Sequence, residues 1–368
     1  MEGLMNKEAQ LLLLLLRVAL SDAKSHVDDL KSVTWRSVDW HGLYLLAKEQ
    51  GVVAITFDGI QKIFDAEIGV DIDIPKTLKW QWISHVSNIE NGYRKQYAIA
   101  NELSEAWAES GIRTACLKGL VFSLYYPIPH HRECGDFDCY LMGQYDLGNR
   151  VAKQLGAKVD AGWYKHSQIS YKGVLCENHK YCVTTRKGEE SRILDKVFKD
   201  LLHTIDSERY IPNTNIIVPT TEFNLLFMAY HTFAHFLVEG ISFRHLLDWG
   251  MLVQKEENNI DWDLFYSRCD RLRYLRFVEA ITDIVVSHLG IELSNPKIRK
   301  NATYSDKILN SIIYENSKVF SSGKGKWQNR FKVILNLFKY NWKYKEIYCY
   351  SSFRRLYDYL IGFILQRE

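Results

Sequence analysis

RECGDFDCYL, residues 132–141, sets two aspartates, Asp136 and Asp138, among apolar and aromatic neighbours directly after Gly135. Phe137, Cys139, Tyr140 and Leu141 read as part of a buried strand of period two over 136–142. Successive strand side chains point to opposite faces, so Asp136 and Asp138 project side by side. Two carboxylates that close raise each other's pKa, and neutralising one should relieve the repulsion. A divalent cation removes the conflict. A hard ion such as Mg²⁺, or Mn²⁺ in its place, takes carboxylate oxygens and leaves room for water and substrate phosphates.

The flanking segments extend this pattern. RTACLKG (113–119) reads as a short buried strand, and LVFSLYYP (120–127) as a helical turn stopped by Pro127. Lys118 and Gly119 then stand where a strand passes into a helix. Glycine lets a triphosphate approach the backbone, a helix N-terminus favours anions, and the lysine adds a point charge. PIPHHREC is a polar loop, in which Arg132 is better placed to meet a phosphate than a metal. Downstream, YDLGNRVAKQLGA (145–157) has the pattern of an amphipathic helix. SQISYKG and VLCENHKYCVT (167–184) read as strands paired around Lys172 and Gly173. Glu177 and His179 share a face of the second. If that strand lies beside the Asp136–Asp138 strand, Glu177 completes a cluster of three carboxylates, the arrangement of two-metal phosphoryl chemistry. A charged helix over about 188–203 closes a small domain of alternating strands and helices, about residues 95–210.

Helices dominate elsewhere. LLLLLLRVAL (11–20) is too short to span a bilayer and is interrupted by Arg17, so it reads as a buried helix; Glu2 and Glu8 make it a poor signal peptide. VDWHGLYLLAKEQG offers Asp39 as N-cap and Gly51 as a stop. A long helix is expected from about Thr77 to Ser110, ended by Gly111. After Pro219, one helix ends at Gly240, FRHLLDWGMLVQ forms another, and the run from the Asp261 cap to Gly290 reads as a third. Two more should fill 303–366. The division is 1–94 as an N-terminal helical region, 95–210 as the core, and 211–368 as a C-terminal helical domain.

A chain of 368 residues, 47% hydrophobic and 25% charged, can bury a core of useful size across two or three domains. Its net charge of +3 argues for neither nucleic acid nor membrane. The seven cysteines are odd in number and include no CxxC pair, which reads as free thiols in a cytoplasm. His130, His131, Cys134, Cys139, Cys176, His179 and Cys182 match no zinc-finger or ribbon spacing. Cys139 should face away from Asp138, and Cys176 away from Glu177. His231 and His235 lie four apart on an apolar helix and read as core histidines. Arg244 and Asp248 are spaced to pair with each other. Residues 323–345 interleave seven basic side chains with aromatics; the segment reads as a solvated basic helix face, or as a contact for a polyanion such as RNA or an anionic membrane surface.

LKG (117–119), YPIPHHR (126–132), GDFD (135–138) and ENH (177–179), in that order, resemble the nucleotidyltransferases of the DNA polymerase β-like superfamily, and most of all a poorly characterised bacterial branch of it. The Val38-Asp39-Trp40 helix start, HTFAHFLVEGISFRHLLDWG and Ile260-Asp261-Trp262 fit the flanks, so the resemblance runs from about residue 35 to 290. It implies an α+β fold, with a minimal core of a small mixed sheet and helices between two helical regions. It implies Mg²⁺- or Mn²⁺-dependent transfer of a nucleoside monophosphate from an NTP, ATP among them, to an acceptor hydroxyl on a protein, sugar, metabolite or RNA end. Asp136, Asp138 and Glu177 would be catalytic and metal-binding; Lys118, Gly119, Arg132 and His179 would bind the nucleotide. His235 or Glu239 would face the cleft. The superfamily's glycine-serine pair is here Gly119-Leu120, and the gap to Asp136 is longer than usual. These departures keep two rivals in view: a non-catalytic nucleotide- or partner-binding module, and a metal-dependent phosphohydrolase.

Overall fold

The computed structural model describes residues 5–183, 189–204, 209–315 and 340–348, without the side chain of Glu190. The fold is α+β, as expected. Among the described residues, seven strands form one mixed sheet: β1 (Thr114–Cys116), β2 (Phe137–Tyr140), β3 (Lys158–Asp160), β4 (His166–Tyr171), β5 (Val174–His179), β6 (Arg209–Tyr210) and β7 (Ile216–Val218), in the order β3-β4-β5-β2-β1-β7-β6. The pairs β2–β5 and β1–β7 are parallel and the rest antiparallel. The hairpin β4–β5 turns on Lys172 and Gly173, both with positive φ, the backbone twist that matches two antiparallel strands.

One face of the sheet is apolar. Phe137, Cys139, Ile169 and Cys176 pack there with Ile99, Leu103 and Trp107 of the long helix Lys76–Glu109, and with Val151 and Ala152 of the helix Tyr145–Gln154. Strand alternation sends Asp138, Glu177 and His179 to the opposite face. A second, larger apolar cluster joins the N-terminal helices to those after Pro219. Leu11–Leu16 are all buried in it, on the helix Lys7–Leu20. That helix lies so close to the helix Val53–Asp65 that a Cβ on Gly59 would meet the Leu15 carbonyl oxygen at 2.2 Å, so only glycine fits. Asp39 and Asp261 both cap helices, accepting from the amides of Gly42 (2.9 Å) and Leu264 (3.0 Å). Among the described residues no helix is long and apolar enough to cross a membrane.

Two expectations need correction. The run 261–290 is two helices, Trp262–Arg271 and Leu275–Ser287. Arg273 turns the chain with a positive φ, and Tyr274 is fully buried against Phe233 and Tyr230. Burying that ring outweighs continuing the helix. In the basic segment 323–345, residues 323–339 lie outside the described residues. Lys343 is not a solvated cation: it is 3% exposed, and its ammonium sits over the rings of Phe236 (4.6 Å) and Tyr340 (4.5 Å).

Candidate functional site

The parallel register of β2 and β5 sets Asp138 directly beside Glu177. Asp136 precedes β2. One carboxylate oxygen from each of the three lies within 4.8 Å of the others. Asp138 is fully buried, while Asp136 and Glu177 are partly so. His179, 2% exposed, stands 2.9 Å from Asp138 Oδ1 through Nε2, and 3.5 Å from Glu177 Oε2. Its edge fixes the orientation of Asp138. The resemblance assigned His179 to the nucleotide; in the fold it is buried against Asp138 and Glu177.

Lys118 supplies the counter-charge. Its ammonium lies 3.0 Å from Asp138 Oδ2 and 3.6 Å from Asp136 Oδ1. Burial opposes the charge on Lys118, but the two aspartates outweigh it and raise its pKa. Burial pushes the Asp138 carboxyl up, yet Lys118 and His179 prevail and hold it below the usual carboxylate range. Burial, then Asp138, raise Asp136, with Lys118 only partly offsetting them. Glu177 is pushed up by burial but ends lowered by His179 and His166. The expected repulsion thus holds at Asp136, which Asp138 helps to raise, and is outweighed at Asp138 by the Lys118 ammonium and His179.

This donor set fits a hard divalent ion. The cluster is all carboxylate oxygen, and Asp138 Oδ2 is buried with no well-aligned hydrogen-bond donor, only the ammonium opposite it. Gly119 has φ 64° and ψ −102°, a conformation that side chains do not tolerate. This explains the glycine after Lys118. The helix that follows, Leu120–Ser123, is a single turn, too short for the dipole expected of it.

The two aspartates open onto a small cleft whose other wall comes from the helices Thr221–Val238 and Phe243–Glu256, through Met228, His231, Arg244 and His245. Arg132 lies in this wall, but its guanidinium is engaged. Nε and Nη2 donate to the two oxygens of Asp248, both at 2.7 Å, and Nη1 to the Glu133 carbonyl at 3.2 Å. The Tyr126 hydroxyl donates to the same Asp248, 2.8 Å. The expected Arg244–Asp248 pair does not form, because a bidentate buried arginine captures Asp248 first. Arg244 instead donates to the Glu133 carbonyl, 3.1 Å. His231 stacks on Phe227 and borders the cleft, and His235 Nδ1 lies 2.9 Å from Glu239.

Two further residues reach the cluster. His166, at the start of β4, lies 3.3 Å from Glu177 Oε1. It pairs in register with His179 and therefore shares that face; carrying the strand one residue upstream of Ser167 would have found it. Lys165 precedes it, with its pKa lowered by burial despite the pull of Asp138; no periodicity marks it. Cys139 and Cys176 meet on the opposite face, Sγ to Sγ 3.6 Å, away from the carboxylates as expected.

A family model described as an uncharacterised nucleotidyltransferase matches residues 36–290. No curated protein and no solved structure matches.

Proposed function

The chain belongs to the uncharacterised nucleotidyltransferase family, and from that premise we propose that it moves a nucleoside monophosphate from an NTP to an acceptor hydroxyl and releases pyrophosphate. The observation that carries this reading is the convergence of Asp136, Asp138 and Glu177 beside Lys118, with the two aspartates and the lysine lining a cleft. Mg²⁺ or Mn²⁺ held by those three carboxylates would neutralise the triphosphate and acidify the acceptor hydroxyl. The acceptor oxygen attacks the α-phosphorus; the new P–O bond forms as the bond to the bridging oxygen breaks, and pyrophosphate leaves. Glu177 takes the acceptor proton. It is the member of the three with histidines rather than a lysine against it. Lys118, released from the aspartates, moves onto the phosphates, with Gly119 admitting them to the backbone. Lys165 adds charge beside them. His179 keeps Asp138 oriented, and Arg132 braces the cleft wall through Asp248. On this reading residues 95–210, completed by β7 (Ile216–Val218) and by the part of the helix Lys76–Glu109 that precedes residue 95, carry the chemistry, while the helices before and after them support it and build the acceptor side.

The test is turnover with each of the four NTPs, Mg²⁺ or Mn²⁺, and a cell-extract fraction as acceptor source, read as pyrophosphate release. We expect release that Asp138→Asn abolishes. Inorganic phosphate released with water alone would favour a phosphohydrolase. Saturable NTP binding without any turnover would favour a binding module.

A further inference from the structure

Away from the carboxylate cluster, the short turn Pro129–His131 docks between two helices. His131 is buried, and each ring nitrogen faces a carboxylate. Nδ1 lies 2.9 Å from both oxygens of Asp58 on the helix Val53–Asp65, and Nε2 lies 3.0 Å from Glu90 Oε1 on the helix Lys76–Glu109. His130 Nε2 stands 3.9 Å from the same Glu90 oxygen. Arg94 holds the other Glu90 oxygen at 2.7 Å, which turns Oε1 toward the histidines. One ligand atom from each of Glu90, His130 and His131 lies within 4.8 Å of the others.

A neutral imidazole carries one N–H. With Nδ1–H donated to Asp58, the Nε2 lone pair points at a carboxylate oxygen, and the two repel unless a cation lies between them. A proton is one such cation. A metal ion is the other, and the spacing suits it. Tetrahedral zinc with N and O ligands at about 2.0–2.1 Å separates its ligand atoms by roughly 3.3 Å; the observed 3.0 and 3.9 Å bracket that edge. Asp58 supplies the outer carboxylate that commonly orients a metal-bound histidine.

We propose that Glu90, His130 and His131 bind a zinc-type divalent transition-metal ion, with Asp58 orienting His131 and water as the fourth ligand. Imidazole ligands select such ions over Mg²⁺, so this site and the carboxylate cluster hold different metals. The ion staples the turn to two helices. The next five residues of that turn run through Arg132 to Asp136, so the staple fixes the approach to the carboxylate strand.

Zinc is titrated calorimetrically into the metal-free full chain in excess Mg²⁺. One equivalent should bind in wild type. His130→Ala and Glu90→Gln should each weaken it at least tenfold, and Asp58→Asn about ten- to a hundredfold. Asp138→Asn and His166→Ala should leave it unchanged. His130 is partly exposed, so its loss does not threaten folding. No binding at micromolar free zinc, or binding lost in His166→Ala but kept in His130→Ala, overturns the proposal and leaves His131 as an imidazolium bridging two carboxylates.

Discussion

Replacing Asp248 by leucine should cost the fold about 3–5 kcal/mol, because it strands a buried cation. Arg132 is 6% exposed and Asp248 3%, and they are joined by two 2.7 Å hydrogen bonds. Removing the carboxylate leaves the guanidinium without its bidentate partner in the cleft wall. It also takes the acceptor from the Tyr126 hydroxyl, a further ~1 kcal/mol. Against a total stability of about 5–15 kcal/mol, that is a large share. The double variant Arg132→Met/Asp248→Leu should recover most of the loss, since both charges are gone and the volume is kept. Urea unfolding of wild type, both single variants and the double variant gives the coupling directly, provided the slopes agree. Additive losses in the double variant, or a loss below ~1 kcal/mol for Asp248→Leu, would refute the reasoning. The guanidinium would then be free enough to meet a phosphate, as the loop sequence suggests.

Asp138→Asn should abolish metal-dependent turnover and also lower Tm, because Lys118 and His179 lose their partner; residual activity above about a tenth of wild type, a barrier change under ~1.4 kcal/mol, would mean that Asp138 does not hold the metal. Lys118→Met removes the ammonium that offsets the carboxylates, so Mg²⁺ should raise its Tm more than it raises that of wild type; equal shifts in a thermal scan would show that the lysine does not screen them. His231 and His245 are held neutral, since burial pushes both well below the usual histidine range. The unfolded chain takes up protons below about pH 6.5 that the fold refuses, so stability should fall as pH drops from there. Ser242 N–H donates to His245 Nδ1 at 3.1 Å. Glutamine can keep this capping box without titrating, so His245→Gln should flatten Tm between pH 7 and 5, and an unchanged slope would count against the assignment.

The carboxylate face was legible because alternation along a strand is local: Asp136 with Asp138, and Glu177 with His179, follow from spacing alone. Their meeting was legible only conditionally, since it depends on β2 and β5 lying side by side. Partners distant in the chain were not legible. Arg132 and Asp248 are 116 residues apart, and spacing favours the local Arg244 for the same carboxylate. Lys118 was read for phosphate because a strand-end lysine signals charge, not which charge it meets. Strands β3, β6 and β7 hold three residues or fewer, too few for any period to show. The break at Arg273 carries neither glycine nor proline to mark it; the demand comes from the pocket that receives Tyr274.

The parallel pairing of β1 with β7 also sets a timetable for synthesis. Strand β1 is near the middle of the sheet, yet its outer neighbour, Ile216–Val218, leaves the ribosome about 100 residues later. At ~5–20 residues per second, the edge of β1 stays unpaired for about 5–20 s, an open template for other chains. Nascent chains arrested before residue 216 should therefore remain protease-sensitive across Thr114–Cys116, while chains that have passed the β7 segment should not. The protein is assembled like an arch whose keystone is among the later stones cut, and holding the ends apart until then falls to whatever attends the nascent chain.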